Sequence, residues 1–428
     1  MVTFRAEGLS VRGSRLTARP TRFPSLKQST RTLLSPRPTI LLSILLSCSA
    51  TFPIAAETST GIAQSHASAA GVSEGRWGRL EYFEVLLEPP TSHLWANLYS
   101  DRSIWAFGER TPDEAIEHLK SLKISPEVIE LVKTEGKWQT HATGLELQLS
   151  DAIIEATRPE DRKTLSAWFF THDREFFNRL IVNLEGRDFS AFEGKVSAKT
   201  LELIKSLTFE RGKVLSIMDR AYVIRKLGTD EAEKVKFLRA LFSTRSLVVR
   251  LAIDESTDLE PIVDYWSRGG INPGVKSILE QVKLTEGVDR IDIVHLLPPL
   301  PRRYLFGFTN LLDVGPKNTP DCFWTSIQFF KRNASPRMLD PLQLNHYINF
   351  DFEEASGDLQ FGDIVCMFDK TTQEFIHSYV QISDDIVFTK NGASYARPYV
   401  LGLKSDMLSV YLDETEYLIK AYRRKAGI

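Results

Sequence analysis

The sequence predicts an α+β chain: a predominantly helical region over residues 80–302, then a smaller α+β region over 303–428. Three observations carry this expectation. Between about Thr111 and Leu284 apolar residues recur at helical spacing behind well-marked helix starts. A proline-rich crossing from Leu296 to Pro301 then changes the texture of the chain. Beyond it, one helical segment is followed by short runs of β-prone residues separated by polar turns, the order of an α+β unit.

Residues 1–56 form a segment of their own. They hold eight basic residues against the single acid Glu7, then a largely apolar run from Ile40 to Leu46 and a small-residue stretch ending at Ala56. That order is the order of a secretory signal peptide, with cleavage near Ala56. An N-terminal anchor, a transit peptide and a lipoprotein signal at Leu45-Leu46-Ser47-Cys48 are the alternatives, and the long basic leader fits a start codon placed upstream of the true one. The run is shorter than the about 20 apolar residues that span a bilayer, so no integral membrane span is expected after signal removal. Export to the periplasm, the cell envelope or the medium follows. Without residues 1–56, 45 basic and 54 acidic side chains remain, a net charge of −9. This disfavours nucleic acid as a partner.

From Glu57 to Arg79 small residues dominate, and a flexible linker is expected over 57–79. A strand is expected over Leu80–Leu87, before Pro89 and Pro90. Thr111, Pro112 and Glu114 offer a capping hydroxyl, a proline in the first turn and the acid of a capping box, and Ser125-Pro126-Glu127 repeats the start signal. Further helical periods run through 165–184, 198–207, 230–242 and 273–282. In the last region a helix is expected from Asp321 to Arg332, on Phe323, Ile327 and Phe330. Strands are expected over Gly362–Phe368, Phe375–Ile382, Ile386–Asn391 and near Tyr417–Arg423.

Searches for metal, nucleotide and serine-hydrolase motifs return nothing. In the glycine-rich stretch 269–277, Val275 separates Gly274 from Lys276 and no strand precedes, so it is not a phosphate loop. Neither a metal nor a cofactor is called for. The candidate chemistry gathers around Cys322, in Thr319-Pro320-Asp321-Cys322. Thr319 can cap and Pro320 suits a first turn, so the thiol lies at a helix start, where N–H groups lower its pKa and make it a nucleophile. Downstream, His377, Tyr379 and Gln381 share one strand face, and Val387, Thr389 and Asn391 share a face of the next. A polar residue on that second strand can hold the imidazole in its working tautomer: Asn391 is preferred, Thr389 competes. Cys366 is read as a buried core residue, and His346 as an ordinary helix or loop residue.

Three of these features together resemble the NlpC-type family of papain-like cysteine peptidases that cleave cell-wall peptides. They are Asp321-Cys322 at a helix start, Gly362-Asp363 opening a strand, and His377 beginning a strand that continues Ser378, Val380, Ile382. The resemblance is confined to the C-terminal region, and the helical region has no counterpart. It implies a papain-like domain, a helix packed on an antiparallel sheet. Cys322 would be nucleophile, His377 general base, and the third residue would fall within Thr389–Asn391. The implied partner is a peptide or peptidoglycan-derived substrate of an exported bacterial protein. The family usually follows its cysteine with serine and glycine, whereas Phe323 and Trp324 follow here, which reshapes the expected groove. The competing reading is a non-catalytic envelope binding or scaffold protein, its helical region holding a partner and Cys322 and Cys366 joined as a disulfide.

Overall fold

The computed structural model describes residues 71–98, 102–184, 188–310, 319–335, 341–371, 373–411 and 416–425. The expected signal peptide over 1–56 lies outside them, as does most of the expected linker. The architecture is α+β, with helices set around four antiparallel sheets. Among the described residues no helix is long and apolar enough to cross a membrane.

The linker expectation fails at its C-terminal end. Gly71–Gly75 is a strand paired to Gly78–Leu87, and the turn between them buries Trp77 against Tyr265, with ring centroids 5.8 Å apart. One large aromatic residue gives a small-residue segment enough apolar area to hold a hairpin.

Strand Gly78–Leu87 next pairs from Arg79 onward with Thr244–Ala252, in a register that sets Leu87 opposite Thr244. The chain therefore departs at 88 and returns at 243 to the same point, so residues 88–243 are an insertion between two neighbouring strands. The insertion supplies a core cluster from Leu94 to Phe242 that includes Trp105, Phe169, Phe192 and Phe237, and Ala396 joins it from the C-terminal region. It carries the capping box expected at Thr111, where the hydroxyl accepts from the Glu114 N–H and the Glu114 carboxylate accepts from the Thr111 N–H. Ser125 behaves differently, since its hydroxyl and N–H both go to the Asp161 carboxylate. The insertion also holds two three-stranded sheets, within a stretch where the sequence suggested a predominantly helical region and no strands were placed. Those strands are two to five residues long. An alternation as brief as Trp105 and Phe107 is submerged between longer helical periods.

A second cluster joins Trp77, Leu80, Leu247, Trp266 and Leu297 to Trp324, Ile364, Val380, Phe388 and Tyr399. The boundary expected at 302/303 falls inside it. Polar ties cross the same boundary. Tyr265 donates to the Ile382 carbonyl (2.9 Å), Arg268 meets Asp363 (3.0 Å), and Ser246 Oγ both donates to the Leu401 carbonyl and accepts its N–H (3.2 Å each). Residues 71–87 and 244–305 thus belong with the C-terminal sheet.

That sheet has six strands, in the spatial order Phe352–Glu354, Tyr417–Arg424, Ile364–Asp369, Phe375–Gln381, Ile386–Lys390 and Tyr399–Leu403. Its central strands lie where the sequence predicted them, and the two outer ones, each of five residues or fewer, were not foreseen. One face meets the second cluster. The other carries Val365, Tyr379 and Val387 under the short helix Lys404–Ser409.

Candidate active site

The Cys322 helix is shorter than expected, Cys322–Ile327; Thr319 does not cap it and Pro320 lies before its first turn. Asp321 caps it, accepting the Trp324 N–H at 2.8 Å. Just past the helix, Phe329 and Phe330 meet edge to face, with ring centroids 5.0 Å apart. Phe329 packs on Phe361 and Phe388, while Phe330 lies over Gly362. Gly362 has φ +83°, and a Cβ there would stand 2.2 Å from the Phe330 ring, so both backbone and space require glycine. The next residue, Asp363, is fully buried and takes Arg268, Arg423 (2.6 Å) and the Gln360 N–H (2.9 Å). Gly362-Asp363 therefore has a structural task, anchoring the strand to an ion-pair cluster.

The helix packs on the sheet face that carries Ser378, with Ser326 Oγ 3.0 Å from Ser378 Oγ. Strand alternation sends His377, Tyr379 and Gln381 to the other face. Cys322 and His377 thus approach the sheet from its two sides. What lies between them is an opening in the hydrogen-bond ladder. The strands Phe375–Gln381 and Ile386–Lys390 pair only at Val380 with Phe388 and Gln381 with Val387. Short of those rungs, the Ser378 carbonyl takes the Thr389 hydroxyl (3.0 Å), and the Ser378 N–H is directed to the Cys322 sulfur. The sulfur therefore sits against the backbone of the residue next to His377.

No hydrogen bond joins sulfur and imidazole. Nε2 of His377 faces Thr389 Oγ1 and Nδ1 faces the Tyr411 hydroxyl, each at 3.2 Å, and the Tyr411 ring stacks on the imidazole at 4.9 Å. Thr389 is the direct neighbour of the ring. Asn391, the preferred orienter from the sequence, reaches it only through Tyr411, whose hydroxyl donates to Asn391 Oδ1 at 3.0 Å. Thr389 gives its one hydrogen to the Ser378 carbonyl and Tyr411 gives its own to Asn391, so both ring nitrogens face lone pairs. Imidazolium would satisfy both; a neutral ring satisfies one, and one hydroxyl must turn.

Burial decides against charge. It pulls His377 down to about 3 and pushes the Cys322 thiol up to about 12, aided by the Asp321 carboxylate. The N–H groups of Ser378 and Phe323 act in the opposite direction on the thiol and are outweighed. The activated thiolate expected at the helix start is thus replaced by a neutral resting thiol, because desolvation exceeds what two N–H donors and a distant lysine return. Cys322 and Cys366 are both buried and free, with no disulfide between them. His346 is exposed and packs against Phe350.

Sequence reasoning overlooked two residues here. Tyr411 gave no signal, lying just past a short helix in an undistinguished segment. Lys390 gave one: alternation places it opposite Thr389, on the buried face. Its ammonium donates to the carbonyls of Gly392 (2.8 Å) and Ser394 (2.9 Å), and burial pulls it down to about 7 against the opposing effect of the Asp321 carboxylate. A cavity of about 140 Å³ opens on the His377 face, between the sheet and the helix Lys404–Ser409. Among the described residues no group of three or more His, Cys, Asp and Glu could hold a metal ion. Compared with protein-family models, curated proteins and solved structures, the chain matches none.

Proposed function

We propose that the protein is a thiol hydrolase that cleaves a peptide or amide bond with Cys322 as nucleophile and His377 as base, in a papain-like α+β arrangement. The observation that carries this reading is the open ladder at Ser378, where the sulfur takes the N–H next to His377 while Thr389 holds Nε2. In this scheme Tyr411 leaves Nδ1, and the ring accepts the Cys322 proton. The thiolate forms a bond to the carbonyl carbon, and the resulting tetrahedral oxyanion is held by backbone N–H groups at the start of the Cys322 helix. As the oxyanion collapses the C–N bond breaks, and His377 delivers the proton to the departing amine. Water then attacks the thioester, giving one proton to His377, which returns it to sulfur as the acid leaves. Export and a cell-wall substrate extend the proposal, supported by the leader over 1–56 and by the resemblance around Cys322 and His377.

A second reading has its own support. A neutral buried thiol beside an imidazole with both nitrogens engaged suits a non-catalytic copy retained for binding. Incubation with defined muropeptides and with a mixed peptide library, followed by mass spectrometry, separates the two. Products made by the native protein and not by Cys322→Ala support hydrolysis. Identical spectra for the two proteins on both substrate sets overturn it.

A further inference from the structure

The cavity on the His377 face is a separate feature from the sulfur's surroundings. It measures about 140 Å³, and His377, Thr389 and Tyr411 join it to the proposed centre. Its walls are mostly apolar: Val387 and Val400 from neighbouring strands, Met407 and Val410 from the covering helix and its exit. Polar groups line it from several elements: His377, Thr389 and Tyr411 at the proposed centre, Thr244 and Ser246 from the strand Thr244–Ala252, and Asp406 from the covering helix. Arg245, the cation among its described lining residues, is already paired to Glu84 at 3.0 Å, so little attraction is left for a carboxylate guest. An apolar engineered cavity of about 150 Å³ stays dry and binds benzene. The space therefore suits one aromatic or branched aliphatic group.

We infer that this cavity is a recognition pocket for a single apolar side chain, which the substrate of the Cys322–His377 centre presents on the His377 side of the sheet. The inference rests on the hydrolase reading for the word substrate, while the pocket itself does not. A pocket of this kind discriminates by buried apolar contact, for which even one methylene is worth about tenfold or more. Neither an alanine methyl nor a glutamate carboxylate exploits it.

The test uses the full-length protein labelled at methionine methyl carbons, titrated with the N-acetyl amides of phenylalanine, leucine, alanine and glutamate and followed by NMR. Met407→Leu assigns the reporting signal. The phenylalanine and leucine amides are expected to bind at least tenfold tighter than the other two and to shift the Met407 methyl. The same preference is expected in Cys322→Ala, and Val400→Trp, which fills the space, abolishes it. Equal affinity for all four amides, or binding that leaves the Met407 signal in place, overturns the pocket whether or not Val400→Trp folds. Hydrolysis assays distinguish the two failures. Apolar preference without turnover removes the hydrolase reading alone, and turnover indifferent to the side chain removes this inference alone.

Discussion

His377 is buried to 1% exposure, and the two hydroxyls around it decide how it titrates. In the unfolded chain a histidine binds its proton below about 6.5. In the folded protein burial withholds that proton until about 3. Between those values the unfolded state binds more protons, so stability falls as pH falls through this window and levels off beneath it. His377→Gln is expected to flatten that acid limb, recovering roughly 2–4 kcal/mol of the loss between pH 6.5 and 3, read from urea unfolding at stepped pH. The thiol gives the opposite limb. Cys322 stays protonated up to about 12, so iodoacetamide modifies the native protein slowly at pH 7. Tyr411→Phe keeps the stacking ring and removes the oxygen on Nδ1. Cys322 alkylation at pH 8 is expected to rise at least tenfold in that variant, and an unchanged rate would show that Tyr411 does not hold the centre closed.

The strand entered through Gly362 and Asp363 shows how a short motif serves the fold and the candidate centre together. Gly362 permits the left-handed turn and leaves room for Phe330, and Asp363 gathers Arg268 and Arg423 into a buried cluster. Removing the central charge strands two partly buried guanidinium groups. Asp363→Asn is therefore expected to cost about 3 kcal/mol or more, measured by denaturant midpoint. Gly362→Ala is expected to cost more than about 1 kcal/mol, because the added methyl meets both an unfavourable φ and an aromatic ring. The neighbouring open ladder has a different origin. Ser378 gives its N–H to sulfur and its carbonyl to Thr389, so side chains take the places that strand pairing would fill. Register alone does not reveal such an opening, because alternation is unaffected by which donor satisfies which carbonyl.

The insertion over 88–243 is tied to the segments around the candidate centre through Arg211 and Arg397. Arg211, from the inserted unit, donates to the Val410 carbonyl at 3.2 Å, one residue before Tyr411. Arg397, near the start of the last strand of the sheet, reaches back to the Asn183 carbonyl at 3.4 Å. These contacts join the inserted unit to the segment that covers His377. Arg211→Ala is expected to loosen that cover and raise Cys322 alkylation by less than Tyr411→Phe does. A rate equal to that of the native protein would separate the insertion from the centre.

Local chemistry was enough to foresee the capping box at Thr111, the central strands of the last sheet, the position of Cys322 at a helix start and the shared face of His377 with Thr389. Each depends on residues within a few positions of one another, or on a two-residue period. The membership of 71–87 and 244–305 in the C-terminal core escaped that reading, as did the cap at Asp321, the choice of Thr389 over Asn391 and the neutrality of the thiol. Those depend on burial and on contacts between residues far apart in the chain. Trp77 finds Tyr265, and Tyr411 finds His377, only once the chain has closed. A helix start can stabilise a thiolate, but desolvation sets the outcome for Cys322, and desolvation is a property of the packed molecule.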